Sequence, residues 1–253
     1  MKAFVWLVPL LVAASAPAVA RPATPALTVY AAADLAFAFK EIVPLFEKAT
    51  GGRVTLVLGS TGNLAKQIEH GAPADVFFAA DQGFLDDLRD KGAIIPESRM
   101  LYAQGRLVLA SSNKTGLRLA DLRELSRPEV KRVAIANPEH APYGRAARQA
   151  LESLGLWERI RPKLVYGENI RHTLQFIETG AVEAGIVALS VANVPDVSYV
   201  LIDASLHRPL NQMAAVVKRS PRPEMGLAFL GFVNGPEGRG IMKRYGFMLP
   251  GEF

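Results

Sequence analysis

Four short segments place small or polar residues where a predicted strand ends and a predicted helix begins. Two lie in the first half of the chain and two in the second: Ala31–Asp34, Gly59–Asn63, Pro138–Gly144 and Gly167–Ile170. In parallel α/β sheets, ligands bind at such carboxyl ends of strands, where helix N-termini converge. The pattern therefore predicts one cleft that is lined by backbone N–H groups from both halves.

A cleft of this kind favours a small anion. The N-terminus of a helix offers unpaired N–H groups and the positive end of the helix dipole. Hydrogen bonds to an anionic oxygen are about twice as strong as neutral ones, so no lysine or arginine has to touch the ligand. Ser60 and Thr61 add two hydroxyls to the second segment. Each segment alone is also typical of a plain helix cap, and only their repetition indicates a binding site.

The motifs of common catalytic sites are missing. Residues 59–62 have neither the spacing of a nucleophile elbow nor the ending of a phosphate-binding loop. We interpret His140 as a structural or surface residue, and Asp75 and Asp81 as helix caps or lobe-surface residues. The histidines are dispersed, without an H-E-x-x-H motif, at His70, His140, His172 and His207. We expect no enzyme; a secreted hydrolase and a sensor or adhesion module remain as alternatives.

Short β-rich runs alternate with amphipathic helical stretches along the chain, which indicates an α/β fold with mostly parallel strands. A strand is predicted over Leu27–Ala32, and a helix over Leu35–Thr50. No linker rich in Gly, Pro or Ser separates two independent domains. We therefore predict two lobes, each with a mostly parallel sheet flanked by helices, joined by two crossing hinge strands.

The crossings are expected near residues 106–110 and 213–217. Lobe 1 would then comprise residues 27–106 and 218–253, because the last helices return to it, and lobe 2 would comprise residues 107–217.

The first twenty residues have the features of a secretory signal peptide. Lys2 precedes the apolar stretch 3–13, and Ala18–Ala20 supplies the small-x-small pattern of a cleavage site. The apolar stretch is shorter than the roughly 20 residues that a membrane-spanning helix needs. We predict cleavage after Ala20, export to the periplasm and no stable membrane insertion.

The chain has no cysteine, which excludes disulfides and thiolate-held metals. The formal net charge is +5, and removal of Lys2 with the signal peptide leaves +4. The basic residues are scattered and do not form a stripe with interleaved aromatic residues, so a nucleic-acid partner is not expected. We expect a monomer without a metal or a cofactor.

The chain resembles the molybdate-binding periplasmic proteins of ABC transporters over essentially its whole mature length. The matching stretches are VYAAA at 29–33, LAKQIEHGAPADVFFAAD at 64–81, NPEHAP at 137–142, GIV at 185–187 and KRYGF at 243–247. The resemblance implies a two-lobed periplasmic-binding-protein fold of type II. It also implies molybdate or tungstate as cargo and an ABC importer permease as the partner.

The resemblance implies ligand contacts as well. In that family, hydroxyl residues of the first two loops, backbone N–H groups of the next two and a tyrosine after the GIV strand hold the oxyanion. Carried over by motif, the second-loop ligand is Thr61, with Ser60 beside it. The backbone donors are Tyr143 and Ile170.

Two positions of the predicted site depart from the family pattern. The first-loop hydroxyl position, after Ala33, is Asp34, and the tyrosine position is Ala188. At about 4 Å and an effective dielectric near 20, two unit charges repel by about 4 kcal/mol, roughly a thousandfold in affinity. Asp34 therefore caps its own helix, accepts a hydrogen bond from a protonated oxyanion, or completes a site of higher coordination. Otherwise the ligand is a different one, such as a metal ion or a small organic anion.

Overall fold

The computed structural model describes residues 26–253, so the predicted signal peptide and its cleavage site lie outside the described residues. The elements up to the first crossing are β1 (Leu27–Ala32), α1 (Ala36–Thr50), β2 (Val54–Gly59), α2 (Thr61–Glu69), β3 (Val76–Ala79), α3 (Gln82–Asp90) and β4 (Met100–Gly105). The remaining elements are β5 (Leu107–Ser112), β6 (Val133–Ala136), α4 (Pro142–Ser153), α5 (Trp157–Ile160), β7 (Leu164–Gly167), α6 (Ile170–Glu178), β8 (Ala184–Ala188), α7 (Leu189–Ala192), β9 (Val197–Leu201), β10 (Leu210–Val216), α8 (Pro223–Val233) and α9 (Pro236–Arg244). Short 3-10 turns lie between several of them, including Ala33–Leu35 ahead of α1.

The strands form two five-stranded sheets, and the helices flank them. The strand orders are β2-β1-β3-β10-β4 in lobe 1 and β7-β6-β8-β5-β9 in lobe 2. In each sheet four strands share one direction, and β10 or β5 runs against them. The predicted two-lobed α/β fold with mostly parallel strands is thus confirmed, although each sheet is mixed. Each reversed strand is the one that the chain enters directly after a crossing.

The two crossings lie at Arg106 and at residues 202–209. The first agrees with the expected start of the hinge, because β4 ends at Gly105 and β5 begins at Leu107. The second was expected at residues 213–217, with the lobe boundary after residue 217, and this placement is wrong. β10 pairs with β3 and β4 and therefore belongs to lobe 1. An apolar strand has the same sequence pattern in either lobe. Only the strands with which it pairs show to which lobe it belongs.

Helix α1 shows how the apolar pattern builds lobe 1. Phe39, Ile42 and Phe46 recur at helical spacing and are fully buried. The helix ends at Gly51, whose φ of 69° is left-handed, a backbone conformation that glycine adopts without strain. The buried face of α1 supports the end of β1, where the predicted site begins.

Phe229 of α8 lies at the centre of the aromatic core of lobe 1. Its ring packs edge-on against Phe39, Phe46 and Phe78 at centroid distances of 5.7, 5.0 and 5.7 Å. Edge-to-face pairs of this kind stabilise a core beyond the area that they bury. The cluster joins α1, β3 and α8, and so it joins the start of the chain to its end.

We expect Phe229→Ala to lower the free energy of unfolding by about 3–5 kcal/mol, because it removes a fully buried ring. Urea denaturation followed by circular dichroism measures the change. Leu227→Ala is the matched control, since Leu227 lies on the same helix and is 49% exposed. An equal loss in both variants would contradict the central role of Phe229.

The two acidic residues beside β3 have different roles. Asp81 caps α3 through a 2.7 Å hydrogen bond from the Gly83 N–H, as predicted. Asp75 is buried and neither caps a helix nor lies on the lobe surface, which corrects the prediction. Its carboxylate accepts hydrogen bonds from the Thr28 N–H and the Arg222 guanidinium. Asp75 therefore ties β1 to the segment that leads into α8.

Within residues 26–253, no helix is both long and apolar enough to cross a membrane.

Candidate functional site

A small cavity of about 10 Å³ lies between the two lobes, at the carboxyl ends of the strands. Its lining comes from the loops that the sequence singled out: Ala32, Ala33, Asp34, Gly59, Ser60, Thr61, Ala80, Ala141, Pro142, Tyr143 and Ile170. Six of the seven predicted ligand-binding residues are among them. The lining contains no lysine, arginine or histidine. Any anion held here would be bound by neutral donors.

Ala188 is the predicted site residue that does not line the cavity. It ends β8 fully buried, opposite Leu107 of β5. Its methyl side chain carries no hydrogen-bond donor. The tyrosine hydroxyl of this cleft is that of Tyr143 on α4, which reaches Asp34 at 3.0 Å.

Ser60 and Thr61 stand at the N-terminus of α2 with different partners. Thr61 Oγ1 accepts a 3.1 Å hydrogen bond from the Ala80 N–H, and within residues 26–253 its own proton has no acceptor. Ser60 Oγ lies 2.8 Å from His140 Nδ1, across the cleft. Thr61 thus keeps a free donor at the cavity, whereas Ser60 joins the lobes.

Three helices begin at the cavity, and each presents an N–H group. Thr61 opens α2, Tyr143 is the second residue of α4, and Ile170 opens α6. Within the described chain their N–H groups have no hydrogen-bond acceptor, as is usual in the first turn of a helix. Asn169 Oδ1 accepts from the next two N–H groups of α6, at Arg171 and His172, which leaves Ile170 as the free donor. Donors from both lobes therefore converge on one small space.

Asp34 lies in the cavity wall with only 1% of its surface exposed. Its Oδ2 accepts hydrogen bonds from the Gln212 amide at 2.7 Å and from the Tyr143 hydroxyl at 3.0 Å. Its Oδ1 is buried and has no hydrogen-bond partner within residues 26–253. The carboxyl does not cap the 3-10 turn or α1, so that interpretation of Asp34 is not supported.

Burial raises the pKa of Asp34 to about 6, while the hydrogen bonds from Gln212 and Tyr143 act in the opposite direction. Burial likewise raises the pKa of Tyr143, with the Asp34 carboxylate adding to the effect. Tyr143 is therefore a neutral donor at physiological pH.

A buried polar network that the sequence analysis missed surrounds this carboxyl. Gln212 Oε1 accepts a 2.8 Å hydrogen bond from the Tyr102 hydroxyl, while Gln212 Nε2 also lies 2.9 Å from Tyr143 Oη. Ser190 Oγ, at the start of α7, donates to the Asp34 carbonyl at 2.9 Å. The available signal was Gln212 beside the apolar run Met213–Val216 of a strand, since a buried polar side chain needs partners.

Further contacts hold the two lobes together around the cavity. The Gly62 N–H of α2 donates to the His140 carbonyl at 2.9 Å. Arg145 of α4 approaches Asp81 at 3.4 Å and lies over the Phe84 ring, both in lobe 1. Arg171 of α6 lies 4.6 Å from the centre of the Phe37 ring. The described chain is thus in a closed-lobe arrangement.

His140 belongs to these lobe contacts rather than to a catalytic site. Burial lowers the pKa of His140, so its ring is neutral near pH 7. A neutral ring can share one hydrogen bond with Ser60 without placing a charge in the cleft. The prediction of a structural role agrees with this placement.

Cavity size alone does not identify the site. A larger cavity of about 390 Å³ lies beside the crossing segments, where Arg106, Asp203 and His207 are among its lining residues. It touches none of α2, α4 and α6. Within residues 26–253, the small cavity is where N-termini of helices from both lobes meet.

Comparison with known proteins identifies the family. The family model described as "Bacterial extracellular solute-binding protein" matches residues 27–248, which is nearly the whole described chain. The chain belongs to this family.

Several relatives of this solute-binding protein are molybdate-binding proteins. It is 36% identical to the molybdate-binding protein ModA of Azotobacter vinelandii over 222 residues, which cover 86% of this chain and 88% of that protein. It is 35% identical to ModA of Rhodobacter capsulatus over 210 residues, or 83% of this chain and 82% of that protein.

The solved structures support the same fold. The periplasmic molybdate-binding protein of Azotobacter vinelandii superposes with a TM-score of 0.83 at 32% identity, covering 88% of this chain and 99% of that one. The sulfate-binding protein SubI of Mycobacterium tuberculosis superposes with a TM-score of 0.75 at 14% identity, over 89% of this chain and 87% of that one, and shows the fold alone.

Proposed function

We propose that this solute-binding protein captures molybdate or tungstate between its lobes and delivers the oxyanion to an ABC importer. The observation that carries the proposal is the convergence of the Thr61 hydroxyl and three free helix N–H groups on one cavity without a cationic side chain. Such donors suit a fully deprotonated oxyanion, which accepts hydrogen bonds at every oxygen. The printed names of the relatives agree with this ligand.

The lining of the cavity favours an anion over a metal ion. It presents hydroxyl and helix N–H donors, and its one carboxyl group is that of Asp34. Within residues 26–253, no three His, Cys, Asp or Glu side chains are grouped as metal ligands. We therefore propose that the cargo is an oxyanion and that the protein has no resident cofactor.

The proposal also concerns the location of the protein and its partner. We propose export to the periplasm with cleavage after Ala20, action as a monomer without catalysis, and transfer of the oxyanion to a permease. The family and the N-terminal sequence support the export and the transfer. Mass spectrometry of the exported protein tests the cleavage site, with Arg21 as the expected first residue.

Titration calorimetry of the exported protein tests the ligand. We expect one molybdate or tungstate per chain and much weaker binding of sulfate and phosphate, with an increase in Tm for the tight ligands. Heat from neither molybdate nor tungstate, together with an unchanged Tm, would contradict the proposal. Release of a hydrolysis product from a bound ester would support the hydrolase alternative instead.

A further inference from the structure

Asp34 is a buried carboxyl group that has no cation as a partner. Within residues 26–253, no Lys, Arg or His lies within 4 Å of its oxygens. Its side-chain hydrogen bonds come from the neutral Gln212 and Tyr143, and the backbone N–H groups of Asp34 and Leu35 add a weaker stabilisation of the carboxylate. Asp75 shows the usual arrangement in the same chain, since it is equally buried and pairs with Arg222 at 3.0 Å. A buried charge without a partner is costly, so Asp34 is suited to a neutral, protonated form.

The two carboxyl oxygens of Asp34 are unequal. Oδ2 accepts two hydrogen bonds, which is the role of the carbonyl oxygen in a protonated carboxyl group. Oδ1 is buried in a residue that lines the cavity, and it has no partner. A proton on Oδ1 would turn this oxygen into a hydrogen-bond donor. An oxygen of the bound anion would then be its acceptor.

From this geometry we infer that Asp34 takes up one proton from solvent when the oxyanion binds, and that its Oδ1–H then donates a hydrogen bond to the anion. The inference rests on the proposed function and names a residue that determines its selectivity. Protonation removes the repulsion between the carboxylate and the anion, which would otherwise lower the affinity about a thousandfold for each unit charge of the anion. The site then selects anions that accept a hydrogen bond at every oxygen.

Asp34 is the titrating residue among the groups that face it. Tyr143 on α4 and Tyr102 on β4 both have raised pKa values because they are buried. From α7 the neighbour is Ser190. From α6 the charged residue is Arg171, which stacks on Phe37 and pairs with Glu178 at 3.8 Å. On α1, the charged residues that follow Asp34 in the sequence are Lys40 and Glu41, and Glu41 pairs with Arg244.

The sign of the pH dependence follows from the Asp34 carboxyl. Burial raises its pKa to about 6, so in the free protein it is half protonated near pH 6 and largely ionised at pH 8. Binding requires the protonated form, and the apparent affinity scales with the protonated fraction. The affinity for molybdate should therefore fall about 50-fold between pH 6 and pH 8.

Calorimetry of the exported full-length protein with molybdate tests the inference. The titrations are made at pH 6, 7 and 8, in pairs of buffers with different ionisation enthalpies. We expect an uptake of close to one proton per molybdate at pH 7.5 and above, together with the loss of affinity towards pH 8. Binding without proton uptake, or with equal affinity at pH 6 and pH 8, would overturn the inference.

Asp34→Asn is the matched variant, because an amide imitates the protonated carboxyl group. Its oxygen can accept from Gln212 and Tyr143, while its NH₂ group takes the position of Oδ1. We expect this variant to bind molybdate without proton uptake and with equal affinity from pH 6 to pH 8. Asp87→Asn, at an exposed position of α3, should keep the wild-type pH dependence. Proton uptake that persists in Asp34→Asn would assign the proton to another group and overturn the inference.

Two further outcomes separate this inference from the proposed function. If neither the wild type nor Asp34→Asn binds molybdate or tungstate at any pH, the proposed function itself fails. If the wild type binds hydrogen phosphate more tightly than molybdate, the proton lies on the ligand and Asp34 is an acceptor. In that case the inference about Asp34 is overturned, although an oxyanion site remains.

Discussion

Thr61→Val is expected to lower the affinity for molybdate by about 10- to 100-fold, because a hydrogen bond to a charged group contributes about 1.5–3 kcal/mol. Valine has nearly the same shape, so the loss reports the hydroxyl rather than the packing. The substitution also deprives the Ala80 N–H of its acceptor at 3.1 Å. A modest decrease in Tm should therefore accompany the loss of affinity.

Titration calorimetry and thermal unfolding measure these two effects separately. Thr61→Ser keeps the hydroxyl and should retain most of the affinity. Thr55→Val is the matched control, since Thr55 is exposed on β2 and distant from the cavity. If Thr61→Val binds molybdate as tightly as the wild type, then the free hydroxyl is not a ligand, and the helix N–H groups must account for binding by themselves.

Gly105→Ala is expected to lower the affinity through lobe closure rather than through a ligand contact. A Cβ at Gly105 would lie only 2.2 Å from Tyr143 Oη and 2.8 Å from Gln212 Nε2. Tyr143 would have to leave Asp34, and the closed arrangement would be destabilised by about 1–3 kcal/mol, as is usual for overpacking. Because the binding-competent closed form becomes less populated, the apparent affinity should fall by about 5- to 150-fold.

The control and the double variant separate closure from general damage. Gly231→Ala on α8 places a methyl group where no atom lies within 4 Å, and it should bind normally. In a Tyr143→Ala background, Gly105→Ala should cost less affinity than in the wild type, because the closest clash is gone. Small-angle scattering should show Gly105→Ala remaining extended at molybdate concentrations that compact the wild type. Full affinity in Gly105→Ala would contradict a closed state of this geometry.

The polar network around the cavity joins residues that are distant in sequence. Asp34 and Gln212 are separated by 178 positions, and Asp34 and Ser190 by 156. All three are buried, and each needs the others because an unpaired polar group is costly in the interior. Closure therefore assembles a polar network as well as a ligand cavity, and the opening of the lobes exposes both to water.

The sequence alone determined the elements of this protein and the loops that carry its site. The alternation of strands and helices predicted the α/β lobes, since periodicity is a local property of the chain. The Ser60–Thr61 segment and the loops ahead of Tyr143 and Ile170 were identified because small and polar residues follow strands and precede helices. Local signals of this kind can be recognised without knowing which elements pack against each other.

Only the tertiary structure decided which residues of the cleft meet. It placed β10 in lobe 1, moved the second crossing to residues 202–209 and left Ala188 outside the cavity. It also showed that Asp34 does not cap its helix but faces Gln212 and Tyr143, with Oδ1 unpaired. The physical reason is that strand pairing and buried hydrogen bonds join distant residues. A sequence shows that a buried polar group needs a partner, whereas only the packed lobes show which partner it has.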